Sequence, residues 1–354
     1  MNTGGIIEYI NSVSLRPVRL MEVCGTHTHS IARAGIKSQL PANIKLISGP
    51  GCPVCVTPAE TIDAFLGLSS DRNVIITTYG DMLRVPGSEP GDSLYTRKAL
   101  GADVRIVYSP TDAVDLAMQN PLREVVFLGV GFETTAPGTA AAIEYAIDNK
   151  AENFHVFSML KRVEPALRTL IEDPGFNIDG FIVPGHVAAV IGEDGFSFLP
   201  DDYGLPGVVT GFSPDDIWRG LYMLIDMLTH KKPCIKNAYK GVVHKNGNPI
   251  AKEFIDKFFS VRDDEWRGLG HIKNSGFAIK GEYSLYDAEK FFNLKPHKPA
   301  TSSPCLCGEI IKGKAEPEDC PLFGRVCAPD DPVGPCMVSG EGACSAAYKY
   351  KRII

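Results

Sequence analysis

Eight short runs rich in Val, Ile and Phe recur along the first two-thirds of the 354-residue chain, and their rhythm limits the folds open to it. They are VRLMEV (18–23), IKLIS (44–48), NVIITT (73–78), VRIVY (104–108), VVFLGV (125–130), FHVFSM (154–159), GFIVP (180–184) and GVVTGF (207–212). Each is five or six residues long and ends near Gly or Pro. Runs of that length and composition suit strands of parallel sheets buried on both faces. Amphipathic stretches lie between them, for instance 58–68, 136–148, 164–172 and 214–228. Strand alternating with helix predicts an α/β fold with crossover connections.

The length exceeds one ordinary core and predicts more than one domain. Four runs followed by four place a first α/β domain at 1–120 and a second at 121–230, with one long irregular sheet domain as the alternative. From Lys231 the texture changes: strand runs become scarce, one helix is expected at 249–259, and from Pro296 the chain is dense in Pro, Gly and Cys. Such a segment has too few large apolar residues for a core of its own, and a bound metal or cluster would supply the missing cross-links. A third, smaller domain is therefore expected at 231–354.

The motifs gather where strands end. MEVCGTHTHS (21–30) follows the first run and leads into a helical pattern, placing Cys24 near a helix N-terminus, where a thiolate is favoured. Thr26, His27 and His29 can donate hydrogen bonds, and the histidines can also shuttle protons or bind metal. Taken singly, each reads as a buried cysteine or a surface histidine; together at a strand end they read as a site. SGPGCPVCVTP (48–58) carries Cys52 and Cys55, a CxxC that is a redox dithiol or half a zinc site. No second CxxC accompanies it, and its lead-in glycines permit close backbone approach, so the redox pair fits better. Other strand ends present Asp81 and Arg84, Glu133 and Thr134, and His186. GVGFE lacks the full GxGxxG pattern of a nucleotide loop. Alone, each of these is as readily a cap or a turn; their shared position points to one cleft facing both sheets.

Six of the ten cysteines crowd into 305–344: Cys305, Cys307, Cys320, Cys327, Cys336 and Cys344. Intervals of 14, 6 and 16 residues separate Cys305, Cys320, Cys327 and Cys344. Four thiolates suit a [4Fe–4S] cluster, and the prolines and glycines let the chain wrap one. Zinc on four cysteines is the alternative, although zinc ribbons favour short CxxC knuckles. Two cysteines would be left over, and Cys307 with Cys336 can form a redox dithiol beside the cluster. Spacing alone does not decide which four bind iron.

Net charge is −6, which offers no basic patch for nucleic acid or an acidic membrane. Residues 1–10 show no signal-peptide pattern and no apolar stretch approaches a membrane span, so a cytoplasmic location is expected. In a reducing compartment ten cysteines imply metal or redox chemistry rather than a disulfide framework.

Assembled, these motifs closely resemble the HypD family of hydrogenase maturation factors. The matching segments are CGTHTH (24–29), GPGCPVC (49–55), TYGDMLRVPG (78–87), GFETTAPG (131–138), PGHV (184–187) and the tail PLFGRVC…PVGPCMVSGEGAC. The resemblance implies two Rossmann-like α/β domains facing a cleft, plus a third domain holding a [4Fe–4S] cluster. It implies a scaffold on which the Fe(CN)2(CO) unit of [NiFe]-hydrogenase is assembled, with Fe(II) carrying cyanide and carbonyl as cargo. A HypC-type chaperone would share the iron and a HypE-type partner would donate cyanide; a monomer is expected in their absence. The tail resembles the cluster environment of ferredoxin–thioredoxin reductase. That likeness supports Cys305, Cys320, Cys327 and Cys344 as cluster ligands and Cys307 with Cys336 as the dithiol. Cys24 becomes the expected iron ligand, and Cys52 with Cys55 a redox-active or iron-proximal pair.

Low-spin Fe(II) bearing cyanide and carbonyl is a soft centre, so thiolates suit it. Two other classes compete. A thiol–disulfide oxidoreductase explains the cysteines but not CGTHTH. A zinc hydrolase would use Cys24, His27 and His29 as ligands, with a structural zinc in the tail.

Overall fold

The computed structural model describes residues 2–13, 15–294 and 304–351. All eight apolar runs form strands: β1 (Val18–Glu22), β2 (Ile44–Ser48), β3 (Val74–Thr78), β4 (Val104–Ile106), β5 (Glu124–Gly131), β6 (Phe154–Leu160), β7 (Gly180–Val183) and β8 (Gly207–Val209). The described residues add β9 (Ile235–Asn237), β10 (Phe259–Trp266) and β11 (Gly270–Ile279). The result is a mixed α/β fold built on two parallel sheets, ordered β2-β1-β7-β8-β9 and β4-β3-β5-β6, plus the antiparallel hairpin β10-β11.

The strands are not shared four and four in chain order. β1 and β2 open the chain yet pair with strands that follow residue 180, while β3 to β6 form the second sheet as a block between them. Nor does the region after Lys231 stand apart: β9 completes the first sheet, and the hairpin is fastened to β6 where Ser158 Oγ donates to the Phe277 carbonyl at 2.7 Å. Periodicity reports which segments are buried. It does not report which long-range partner completes a strand's hydrogen bonds. The hairpin escaped notice because one face of β10 is solvated, so it offers no apolar run. Its turn rests on Gly268 and Gly270, both in the left-handed region at φ +82° and +75°.

Helices fill the gaps in the predicted places, including Ala59–Leu68, Ala136–Asp148, Val163–Ile171, Pro214–His230 and Pro249–Phe258. The long helix Pro214–His230 starts as its sequence dictates: Ser213 Oγ accepts from the Asp216 amide at 3.2 Å, and Pro214 occupies the first turn, where no amide is needed.

Because side chains alternate along a strand, the first sheet divides its core between two faces. Leu20, Leu46, Ile182 and Val208 pack with Ile31, Trp218 and Leu221 on one side. Met21, Ile47, Phe181 and Val183 pack with Ile310 and Ile311 of the tail on the other. Each such side chain contributes about 1.5–3 kcal/mol by leaving water. Among the described residues, no helix is long and apolar enough to cross a membrane.

Candidate functional site

Loops after β1 and β2 of the first sheet and β3 of the second converge on the cysteine-rich tail. After β1 the chain turns into the helix Gly25–Arg33, with Cys24 as its N-cap residue. Gly51 lies against this turn: its carbonyl accepts from the Gly25 amide at 2.9 Å. A Cβ at position 51 would stand 2.1 Å from the Cys24 nitrogen and 2.4 Å from its Cα, so only glycine lets the two loops close together.

The Cys24 thiol is buried, at 7% exposure. Burial pushes it up to about 12, outweighing the hydrogen bonds from the His27 and Thr26 amides at the helix N-terminus. The expectation of a favoured free thiolate is thus corrected: the helix end supplies its donors, but desolvation dominates. Such a thiol ionises when a cation arrives to pair with it.

Beneath Cys24 lies Glu22, fully buried, which the motif reading passed over. One carboxyl oxygen accepts from the Cys24 amide at 3.1 Å and the other from Thr28 Oγ1 at 2.5 Å. Burial raises this carboxyl to about 7, with Thr28, Ser48 and the Cys24 amide opposing the shift. A carboxyl inside the run VRLMEV was the available signal, since a charged residue in a buried strand needs partners.

The histidines of CGTHTH turn away from one another. His27 is fully buried, its Nε2 3.0 Å from the Gly211 carbonyl and 2.8 Å from Thr210 Oγ1, beyond β8. A carbonyl can only accept, so Nε2 carries the proton and the buried Nδ1 is left as an acceptor with no partner among the described residues. Burial lowers this imidazole to about 4. Phe212 packs against His27 on one ring contact and His186 on another, with centroids 4.6 and 4.1 Å away. His29 instead faces the tail, where Nδ1 is 3.3 Å from the Gly340 carbonyl and Nε2 3.1 Å from the Tyr350 hydroxyl.

After β2, Cys52 caps the short helix Pro53–Val56, and its sulfur accepts from the Cys55 amide at 3.1 Å. Cys52 and Cys55 are joined by a disulfide with Cα atoms 5.2 Å apart. This helix packs against the tail helices Cys307–Ile311 and Pro335–Val338. Cys52, Cys55 and Cys336 line one small cavity together with Thr28, Ser48 and Glu341. Thr26 Oγ1 donates to Glu341 Oε1 at 2.7 Å, and Ser339 Oγ donates to Asp81 beyond β3 at 2.9 Å. Glu341 and Ser339 were also missed; they sit in a glycine-rich stretch with no periodicity to mark them.

Within the tail, Cys307 and Cys336 sulfurs are 2.7 Å apart. The Cys305 thiol is raised by its hydrogen bond with Cys307 and by burial. Cys307 is raised despite its bond with Cys305, by that with Cys336 and by burial. Burial raises Cys344 most, and Cys307, Cys305, Cys327 and Cys320 add to it. The thiols are therefore crowded into one neighbourhood. Among the described residues no three His, Cys, Asp or Glu side chains converge as ligands of a single metal ion.

Not every expected residue joins this gathering. Glu133 is buried elsewhere: Oε1 accepts from the Val163 amide at 3.0 Å, Oε2 has no partner among the described residues, and burial raises the carboxyl to about 7. His186 packs on Phe212, whose ring also packs on His27. Thr134 is exposed, and the exposed Arg84 meets the tail only at its surface, 3.8 Å from Asp330 among the described residues.

The site is thus an α/β frame whose strand-end loops gather cysteines against a cysteine-rich tail. A family model described as "HypD: Hydrogenase formation hypA family" matches residues 3–351. The hydrogenase maturation factor HypD of Escherichia coli K12 is 45% identical, with 97% of this chain and 92% of that protein covered. HypD2 of Bradyrhizobium diazoefficiens is 44% identical over 95% of this chain and 90% of its own length. HypD of Rhodobacter capsulatus is 42% identical over 98% and 92%. The chain belongs to the HypD family of hydrogenase maturation factors.

Proposed function

We propose that this chain is the scaffold on which the Fe(CN)2(CO) unit of [NiFe]-hydrogenase is assembled. One observation supports this most: Cys24, the Cys52–Cys55 pair and the tail thiols come from distant parts of the sequence, yet their loops pack on one another. Cys24 is the thiolate that takes the iron. It sits in a dry turn whose backbone donors can balance the charge of its sulfur, and a soft iron centre favours thiolate. His27 orders the helix rather than donating to the cargo, since its one N–H is already given to Gly211. The Thr26 hydroxyl is likewise given to Glu341, so the helix amides remain the donors suited to cyanide nitrogens.

The crowding of Cys305, Cys320, Cys327 and Cys344 fits a [4Fe–4S] cluster, in which each iron takes its own thiolate and the four need not converge on a point. Such a cluster would supply single electrons. Cys307 and Cys336 have sulfurs 2.7 Å apart, and Cys336 shares a cavity with Cys52 and Cys55, which supports a dithiol passing reducing equivalents toward Cys24. A HypC-type chaperone sharing the iron and a HypE-type cyanide donor complete the reading.

The test is metal analysis of the protein purified without oxygen together with its HypC-type partner. Iron beyond the four of the cluster is expected, and Cys24→Ala loses that extra iron while keeping the cluster and its brown colour. Extra iron retained in Cys24→Ala would sink the assignment. The oxidoreductase reading keeps some support from the bonded Cys52–Cys55 pair. It predicts that a generic disulfide substrate is reduced at the expense of the tail thiols. The zinc reading fares worse, because His27 and His29 point their nitrogens to different partners.

A further inference from the structure

The turn between β10 and β11 carries a cation to the tail. Arg267 opens that turn, directly after the buried Trp266, whose indole Nε1 donates to Ser275 Oγ at 2.9 Å and whose ring stacks on Phe132. Gly268 follows in the left-handed region, and a Cβ there would stand 2.7 Å from the Gly308 Cα. The turn therefore lies directly on the residue after Cys307.

Arg267 is tied at the same time to the helix Pro53–Val56, which carries Cys55. Its amide donates to the Val56 carbonyl at 2.8 Å and its Nε to the Thr57 carbonyl at 3.0 Å. Carbonyls at a helix end lack intrahelical partners, so a guanidinium suits them. They orient the group but carry no net charge to balance it.

A partly buried cation ordinarily has a carboxylate partner. Among the described residues the buried Nη2 of Arg267 has no hydrogen-bond partner and no Asp or Glu pairs with it. The remaining positions, 1, 14, 295–303 and 352–354, contain neither acid. Its charge bears instead on cysteines. The Cys305 thiol is raised by its hydrogen bond with Cys307 and by burial, and Arg267 opposes that rise. Cys307 is lowered by its bond with Cys305 and raised on balance by Cys336 and by burial, again with Arg267 in opposition.

We infer that Arg267 supplies the counter-charge of the metal–thiolate centre in the tail and favours its reduced state. This rests on the cluster reading given above. A cluster held by four thiolates gains one negative charge when it takes an electron, with no bond broken and no proton required, so a fixed cation beside Cys305 stabilises the reduced form more than the oxidised one. An arginine that only fastened the hairpin would change stability and leave the potential where it was.

The test is a redox titration of the full chain purified without oxygen, with dithionite as the electron donor and the cluster's visible absorption as the readout. Arg267→Gln removes the charge and can still donate to the Thr57 carbonyl. Its cluster is expected to be about tenfold harder to reduce, a midpoint about 59 mV lower for one electron. Arg267→Lys keeps the charge without the fork and should stay within about threefold of wild type. Arg267→Met serves as a second neutral variant should Gln lose iron and sulfide. A neutral variant that keeps its cluster at the wild-type midpoint overturns the inference, as does a Lys variant displaced as far as Gln. Wild type without cluster absorption would overturn the cluster reading and this inference with it; an intact cluster whose midpoint does not move overturns this inference alone.

Discussion

The sheets and the tail hold their thiols by different means. Cys24 and Cys52 are placed by topology: each caps the helix that follows a strand fixed by its neighbours, and Gly51 lets their loops meet. Tail thiols are placed by the chain wrapping itself through short helices, turns and glycines, with few large apolar side chains of its own. One region is a frame whose shape is set by apolar burial. The other takes its order from what it packs on and, on the proposed reading, from the cluster it encloses. On the proposed reading, a scaffold that receives iron and gives it up gains from that division, since the receiving side stays fixed while the redox side is chemically responsive.

The largest effect that would break this comparison is loss of the proposed cluster. Replacing Cys320 and Cys327 with Ser should release residues 304–351 to protease while the sheets keep their far-ultraviolet dichroism. A tail equally resistant without iron would show that it is held by packing alone. Next comes Gly51→Ala, whose methyl group meets the Cys24 backbone. A destabilisation of about 3 kcal/mol or more is expected in thermal or denaturant melts, because backbone cannot step aside as a side chain can.

The third prediction sharpens the account of the frame. Folded protein holds the Glu133 proton to about 7, above the usual carboxylate range, because the carboxyl is buried. Between about pH 4.5 and 7 the folded state therefore binds more protons than the unfolded chain, and stability falls as pH rises across that window. The loss is at most on the order of 3 kcal/mol. Glu133→Gln should lessen the slope while still accepting from Val163, with Glu22, raised to about 7 by the same burial, keeping the remainder; a profile as steep as wild type would show the Glu133 burial to be relieved in solution. The smallest effect is at the seam. Thr26→Val removes the hydrogen bond to Glu341 and should loosen tail docking by about 1–2 kcal/mol, read as faster hydrogen exchange in the helix Ala343–Lys351.

Much of the frame was legible because buried parallel strands leave continuous apolar runs, and all eight were found. Their distribution between sheets was not, since pairing across more than a hundred residues leaves no local mark. The hairpin hid for the opposite reason: its solvated face interrupts the apolar pattern. In the site, cysteines announced themselves by type and spacing, and CGTHTH by its place after a strand. Glu22, Ser339 and Glu341 did not, because their importance lies in whom they touch. His27 shows the limit most clearly: its position was read correctly, but only the Gly211 carbonyl reveals which nitrogen is committed and hence what the ring can no longer do.

The most direct measurement of the central claim is an infrared spectrum of the protein purified without oxygen beside its HypC-type partner. Cyanide and carbonyl stretches are expected, and they should vanish in Cys24→Ala while the iron–sulfur absorption persists. A brown protein with its cluster intact and no such stretches would contradict the scaffold and leave a thiol oxidoreductase in its place.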